Sequence, residues 1–339
     1  MTSLFSEPFA DSILPVAGVA KRLLLLARAW RLHSARIVGP DGEAVYAGEG
    51  GSLAWLAQLH QARVEERRPI GLLGLLRMAA ERKTLCYIEI NRLFRPLLPP
   101  RPFFTLPWIR FVADLEREAT TAAMKEVETT YGRKVRQQGF KVRLETGLAA
   151  AEEFYRGFYL PYLRWRFGDE AHPRSQAEIV SAVRRGFLLQ ILDGAQPVSA
   201  TVCRRHDSSV TMVASGLRGD YRSLLRRGAM SALYCEVFRW ARANHLRHVD
   251  LLRARPHADD GVSQHKKRFG AQPETDPWPH ALLAIYPPRG LPLPRPAHNL
   301  LVENDKSELA PLAGLAEISA ARESSFPSSP ARTREKMDV

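Results

Sequence analysis

Between Thr211 and Gly270 the side-chain pattern passes from strand to helix and back to strand, and this order limits the folds open to the chain. Thr211 to Ser215 reads as a strand, Gly216 to Gly228 as a loop crowded with arginine and glycine, Ala229 to Ala243 as a helix, and His248 to Leu252 as a second strand. A polar loop follows and ends in Gln264-His265-Lys266-Lys267-Arg268-Phe269-Gly270. A strand, a basic glycine-containing turn and a helix in that order bring positive side chains to a helix N-terminus, where unpaired backbone N–H groups stabilise an anion. The stretch therefore predicts a phosphate site.

The helix rests on spacing. Met230, Leu233, Tyr234, Val237, Trp240 and Ala241 recur at three and four residues and form one apolar stripe, while Glu236, Arg239 and Arg242 fall outside it. Ahead of it, Tyr221, Arg222, Arg226 and Arg227 lead into Gly228, which lacks a side chain where a phosphate needs close backbone approach. Composition alone is equally compatible with a simple turn flanked by solvated arginines.

Charge narrows the partners. The 339 residues include 49 Lys and Arg against 36 Asp and Glu, a net charge of +13, so the surface field favours a nucleotide cofactor, a nucleic acid or an anionic lipid headgroup. Cys86, Cys203 and Cys235 are odd in number and widely spaced in apolar segments, which predicts neither a disulfide framework nor a zinc site and fits a reduced cytoplasmic compartment. His257 beside Asp259 and Asp260 has no second histidine at ligand spacing and reads as a polar loop, so no metal is expected. Residues 13 to 30 hold Leu23 to Leu26, but Lys21, Arg22 and Arg28 interrupt the run, so no transmembrane span and no export signal are expected.

Along the chain, the first dozen residues read as loosely ordered. Two short strands flank Gly39-Pro40-Asp41-Gly42, a helix from Leu53 to Glu66 opens at Ser52, residues 71 to 82 form a helix or a loop, and Leu85 to Ile90 is a strand. Pro96, Pro99, Pro100, Pro102 and Pro107 make residues 95 to 107 a stiff connector. A long helix follows from Leu115 to Gln138, then a strand from Phe140 to Leu144 and a helix from Leu148 to Phe167. The aromatics of that last helix, Phe154, Tyr155, Phe158, Tyr159, Tyr162 and Trp165, read more readily as core than as a substrate groove. Gln176 to Arg185 is a helix after a loop with His172, and three meandering strands lead through Asp193-Gly194 and His206 to Ser209 into Val210 to Ser215. Ala281 to Tyr286 closes the series as the last strand of one central sheet. Residues 301 to 339 carry seven acidic and five basic side chains with few large apolar ones and read as a largely disordered tail.

The domain reading is an α/β half over residues 1–95, a connector and long helix over 96–139, a catalytic domain over 140–290 and the tail over 301–339. Asp220-Tyr221 ahead of Arg226-Arg227-Gly228, the amphipathic helix, Val249-Asp250-Leu251-Leu252, and His265-Lys266-Lys267-Arg268-Phe269-Gly270 together resemble the GNAT-fold acyltransferases, in particular their FemAB-like branch. The likeness runs over residues 100 to 290 and is strongest from 211 to 271. It implies an α/β GNAT fold, a mixed central sheet flanked by helices, with a smaller GNAT-like N-terminal half. It also implies acyl-CoA, acetyl-CoA first, as co-substrate, lying where two strands splay, and an unidentified amine or hydroxyl acceptor. Where relatives carry Ser-Pro-Gly at the phosphate turn, this chain has Arg226-Arg227-Gly228.

On this reading Val213, Ser215, Arg222, Arg226, Arg227, Gly228 and Ala229 bind the donor, and Tyr159, Arg253, Lys266 and Lys267 face the acceptor. Acyl transfer needs a positioned donor, a proton route and donors for the oxyanion; Asp250 and Ser215 are the catalytic candidates, Asp250 for the proton route and the backbone N–H groups from Val213 to Ser215 for the oxyanion. Asp250 reads more readily as a structural carboxylate held by a neighbouring arginine. Aminoacyl-tRNA as donor, a non-catalytic binding module and attachment to the inner face of a membrane are the alternatives in view.

Overall fold

The computed structural model describes residues 32–100, 102–168, 171, 173–274, 281–304 and 308–315. The chain divides into two compact units, one of residues up to 107 and from 277 onward, the other of residues 108–276.

The first unit begins with a hairpin of β1 (His33–Gly39) and β2 (Gly42–Gly48), whose turn is closed by the Gly39 and Gly42 pair. Gly42 has φ +118°, a left-handed conformation that Pro40-Asp41 alone would not supply. Helix α1 (Leu53–Leu59) is shorter than expected: Gln61 turns left-handed at φ +48°, and residues 63–69 become β3 (Arg63–Pro69) instead of a further helical turn. Pairing with β1 overrides the helix propensity of Glu65, Glu66 and Arg67. Then come α2 (Leu72–Glu81) and β4 (Leu85–Asn91). The proline connector is not wholly irregular, because it contains β5 (Phe103–Thr105).

The second unit starts with β6 (Ile109–Asp114) and α3 (Glu118–Val127), which passes through one π turn at Glu128–Gly132 into α4 (Arg133–Gln137). After β7 (Lys141–Glu145), a second long helix has the same design: α5 (Leu148–Phe154), a π turn at Tyr155–Tyr159, and α6 (Leu160–Phe167). Helix α7 (Gln176–Arg184) opens with a capping box, Ser175 Oγ accepting from the Glu178 N–H while the Glu178 side chain accepts from the Ser175 N–H. Strands β8 (Gly186–Asp193), β9 (Gln196–Arg205) and β10 (Ser209–Leu217) form the meander. The basic loop expected after β10 holds a helix of its own, α8 (Tyr221–Arg227), whose first turn is capped by Asp220 Oδ1 accepting from the Ser223 N–H at 3.1 Å. Then follow α9 (Ala229–Ala243), β11 (His248–Ala254), α10 (Gly261–Arg268) and β12 (Gln272–Glu274).

The chain does not build the single sheet expected from its sequence. The second unit's sheet runs β12-β6-β11-β10-β9-β8-β7, and β13 (Ala281–Tyr286) joins the first unit's sheet, in the order β3-β1-β2-β4-β13-β5. Leu282 to Tyr286 are all buried, and that continuous apolar run fits a strand covered on both faces. The compact second unit therefore spans 108–276, where the sequence reading set 140–290. Residues 301 to 315 also depart from the expected tail. After the short helix α11 (Arg295–His298), β14 (Leu301–Glu303) and β15 (Leu309–Pro311) pair, and Leu301, Val302 and Leu312 are buried, the last two in the first unit's core. The first dozen residues and residues 316–339 lie outside the described residues.

Candidate functional site

The site is built on the one parallel pair described in the second unit, β10 and β11. Their ladder joins Ser209 to His248, Val210 to Val249 and Thr211 to Asp250, and among the described residues it holds no further pair, although β10 continues to Leu217 and β11 to Ala254. Both strands are irregular where pairing ends. The register of β10 against β9 shifts between Met212 and Ala214, leaving Val213 as the extra residue, and that of β11 against β6 shifts between Asp250 and Arg253. Leu252 carries φ +59°, a left-handed conformation that a leucine adopts only under constraint.

That constraint comes from two buried charges. Asp250 Oδ1 accepts the Leu252 N–H at 2.8 Å, while Lys266 Nζ donates to the Leu252 carbonyl at 3.1 Å and the Arg253 carbonyl at 2.8 Å. Leu252 is thus pinned at both ends of its own residue. Asp250 Oδ2 accepts in turn from Arg110 Nε at 3.1 Å, Arg110 Nη2 at 3.0 Å and Thr211 Oγ1 at 3.4 Å. Burial pushes the Lys266 ammonium down to about 7, with Asp250 and Asp260 pulling the other way, and its Nζ lies 5.6 Å from the centre of the Phe111 ring. The sequence around Lys266 holds it there. Asp260 caps α10 by accepting from the Ser263 N–H at 2.7 Å, Phe269 is fully buried, and Gly270 at φ +78° leaves room for Thr120, whose Cα would lie 2.8 Å from an added Cβ.

The predicted phosphate turn resolves residue by residue. Gly228 is left-handed at φ +85° and buried between α8 and α9, and Ala229 is fully buried with its carbonyl accepting Ser199 Oγ at 3.0 Å. Ala229 packs with Tyr162, Leu217 and Leu224. Arg227 is engaged, donating to Asp193 Oδ2 and Gln138 Oε1 at 2.6 Å each with its guanidinium over Phe140. Arg222 and Arg226 are exposed and make no ion pair among the described residues.

On β10, Val213 is buried against the α5 and α7 side, and Gly216 meets the π turn so closely that an added Cβ would lie 2.5 Å from the Phe158 carbonyl oxygen. Ser215 is half-buried. Thr201 Oγ1 donates to the Ala214 carbonyl at 3.0 Å, so its one proton is spent and Ser215 Oγ donates to it across 2.9 Å. Tyr159 is buried with its hydroxyl accepting the Arg174 N–H at 3.0 Å. Arg253 is exposed and Lys267 half-buried. Of the helix aromatics, Phe154, Phe158, Tyr159 and Tyr162 are buried, whereas Trp165 is 44% exposed.

Sequence reading placed His265 at the head of the closing motif but gave it no role in the site. Its Nε2 is buried with no hydrogen-bond partner among the described residues, its ring stands edge-on to Tyr234 at 4.7 Å, and burial, helped by Arg166, pushes its pKa down to about 4. Arg166 Nη1 donates to Tyr162 Oη at 2.8 Å, and Tyr162 packs edge-on against Tyr221. The alternation Tyr162-Leu163-Arg164-Trp165-Arg166-Phe167 was the signal available in the sequence. Among the described residues no group of three or more His, Cys, Asp or Glu side chains is placed to hold a metal, and no helix is long and apolar enough to cross a membrane. His172 lies outside the described residues. The three cysteines are buried, and burial pushes the Cys86 and Cys235 thiols up to about 11.

No protein-family model matches the chain, and no curated protein matches it in sequence. Among solved structures it is similar to L-PGS from Bacillus licheniformis, at 11% identity over 85% of this chain and 96% of that one, with a TM-score of 0.38. It is also similar to FemX, at 10% identity over 71% and 80% with a TM-score of 0.38. A GCN5-related N-acetyltransferase from Sphaerobacter thermophilus shares 15% identity over 77% and 79%, with a TM-score of 0.32. At these scores the likeness assigns neither an activity nor a substrate.

Proposed function

We propose that residues 108–276 form a GNAT-type acyltransferase unit that seats a thioester donor along the opening between β10 and β11 and passes its acyl group to an amine or hydroxyl. One observation carries this reading: the parallel pair ends after three residue pairs, with a bulge on each strand at the point of divergence. Beyond Thr211, the edge of β10 that turns away from β9 has lost its ladder partner. Its backbone groups are then free to take an extended amide-bearing arm as an added strand and to donate to the oxyanion that forms when the nucleophile attacks the thioester carbonyl. The C–S bond breaks as the intermediate collapses, and the nucleophile's proton leaves with the thiol.

Within this reading the donor's phosphates lie over Arg222 and Arg226 near the start of α9, while Arg227, Gly228 and Ala229 shape the turn beneath them. Ser215 is the hydroxyl placed along the open edge for proton movement. Asp250, tied to Arg110 and the Leu252 N–H, serves by holding the bulge. Arg253 and Lys267 flank the acceptor side, Val213 sets the bulge of β10, and Tyr159 and Lys266 act through the backbone groups that they fix. A reduced compartment suits the three buried thiols.

Isothermal calorimetry with acetyl-CoA tests this. Saturable binding is expected, weakened about tenfold in Arg226→Ala through loss of one charge-assisted contact. Arg227→Ala should chiefly lower stability, by about 1 kcal/mol, since its bonds to Asp193 and Gln138 are part-exposed. Unchanged affinity in Arg226→Ala removes the phosphate assignment. The net charge of +13 favours a second reading, aminoacyl-tRNA as donor. In that case acetyl-CoA gives no heat and tRNA binds with a steep dependence on salt. If neither ligand saturates, the unit is a binding module.

A further inference from the structure

Helix α2 leaves two large apolar side chains exposed at its first turn. Leu75 and Ala79 are fully buried and seat the helix on the first unit's sheet, so its opposite face should be polar. On that opposite face Leu73 is 84% exposed, and Leu72, on the buried face but one turn ahead of Leu75, is still 44% exposed, while Ile70 and Leu76 are half-buried and pack against the same core. Gly71, extended at φ −83° and ψ 168°, begins the helix between Ile70 and Leu72 and keeps this tip compact. Leu73 gains little from folding and Leu72 only part of what burial offers, so a partner surface would bury both further.

Arginines flank the tip in sequence on both sides. From Arg63 to Lys83 there are six basic and three acidic side chains, and Arg67, Arg68 and Arg77 are all exposed. Arg68 lies 3.4 Å from Glu66 and Arg77 2.8 Å from Glu81, surface pairs that hold their charge weakly, and Arg67 makes no ion pair among the described residues. A second copy docking through the same patch would bring two arginine-rich surfaces together, an arrangement that like charges oppose. An anionic bilayer surface has no such conflict. Leucines enter the boundary between headgroups and acyl chains while arginines extend their aliphatic stems and keep the guanidinium among phosphates.

We propose that the α2 tip, Ile70, Leu72 and Leu73 with Arg67, Arg68 and Arg77 flanking them in sequence, docks the protein on an anionic lipid surface. This stands apart from the transferase reading, because every residue involved lies in the first unit. Co-sedimentation of the full chain with phosphatidylcholine vesicles, with and without phosphatidylglycerol, tests it. Binding is expected only with the anionic lipid. Leu72→Ser/Leu73→Ser, whose side chains are largely outside the core, should keep the wild-type Tm and bind about tenfold or more weakly. Arg67→Gln/Arg68→Gln should also weaken binding and flatten its salt dependence. The proposal is overturned if the leucine variant binds anionic vesicles as tightly as wild type, if the full chain binds neither vesicle, or if the leucine variant abolishes a concentration-dependent dimer without altering lipid binding.

Discussion

Each unit contains one described parallel strand pair, and the two pairs end differently. In the first unit β2 meets β4 from Ala44–Leu85 to Ala47–Ile88, one residue short of the end of β2, and Tyr46 and Tyr87 fill the space around it without exposure. The end is closed by Glu89, whose Oε2 accepts from Tyr46 Oη at 2.6 Å and the Ser52 N–H at 2.7 Å. Gly48 and Gly51 crowd so closely that an added Cβ would lie 2.8 Å from Glu89 Cβ or 2.7 Å from its Oε1. In the second unit a buried carboxylate again stands by the parallel pair. Asp250, however, binds the N–H of a left-handed Leu252 while Lys266 takes the same residue's carbonyl, and the strands part. A carboxylate that caps the next helix seals a parallel pair; one that captures its own strand opens it. On the proposed function, the first unit serves as scaffold and the second carries the site.

Breaking the Leu252 clamp should have the largest effect. Lys266→Met keeps the volume but cannot donate to Leu252 and Arg253, and acyl-transfer kcat/KM is expected to fall about 100-fold, a loss typical of misplaced oxyanion donors. If the rate is unchanged, the clamp does not shape the site. Next comes Asp250→Asn, which removes the carboxylate charge that Arg110 meets at 3.0 Å. Because Arg110 is 39% exposed, urea unfolding should show a loss of about 2 kcal/mol, below that of a fully buried pair.

The clamp also has a signature in pH. Lys266 titrates near 7 when folded against 10.5 ordinarily, so between these values the unfolded chain holds a proton that the folded one has lost. Stability then rises with pH through that window, and the penalty is fully present below it. Lys266→Met should lack this rise in denaturation curves taken from pH 7 to 10. Acid acts on both units alike: His60, buried with its Nε2 2.8 Å from Tyr87 Oη, and His265 are both pushed down to about 4 by burial, so each loses stability as pH falls from 6.5 towards 4. His265→Phe should flatten the acid limb if His265 contributes as described.

The smallest effect is expected at the sealed pair. Tyr46→Phe removes the hydroxyl that donates to Glu89 and accepts from the Gly50 N–H, at a cost of about 1–2 kcal/mol in unfolding and no change in acyl transfer. Any rate loss there would give the first unit a share in catalysis.

The elements were largely legible before the fold was. Periodicity located α9 at Ala229–Ala243 to the residue, because a stripe of six apolar side chains allows no other phase. Pro-Asp-Gly marked the first hairpin for the same local reason. Local pattern failed where pairing partners are distant. It extended α1 through residues that β1 claims as β3, and it left residues 221–227 as loop although Asp220 caps a helix there. It also set Ala281 to Tyr286 in the wrong sheet, since an apolar run states that a strand is buried but not beside which neighbour.

By itself, the sequence determined that this is a basic, mixed α/β chain with a strand, an arginine-rich turn, an amphipathic helix and a second strand ending in a lysine and glycine motif. All of these follow from side-chain period and backbone preference within a few residues. Only the tertiary structure decided what the charges do: Arg227 binds Asp193, Asp250 binds Arg110 across 140 positions of sequence, and Lys266 binds two carbonyls of β11. A charged side chain's role depends on what remains to neutralise it after burial, and that is fixed by contacts between segments that no local pattern records.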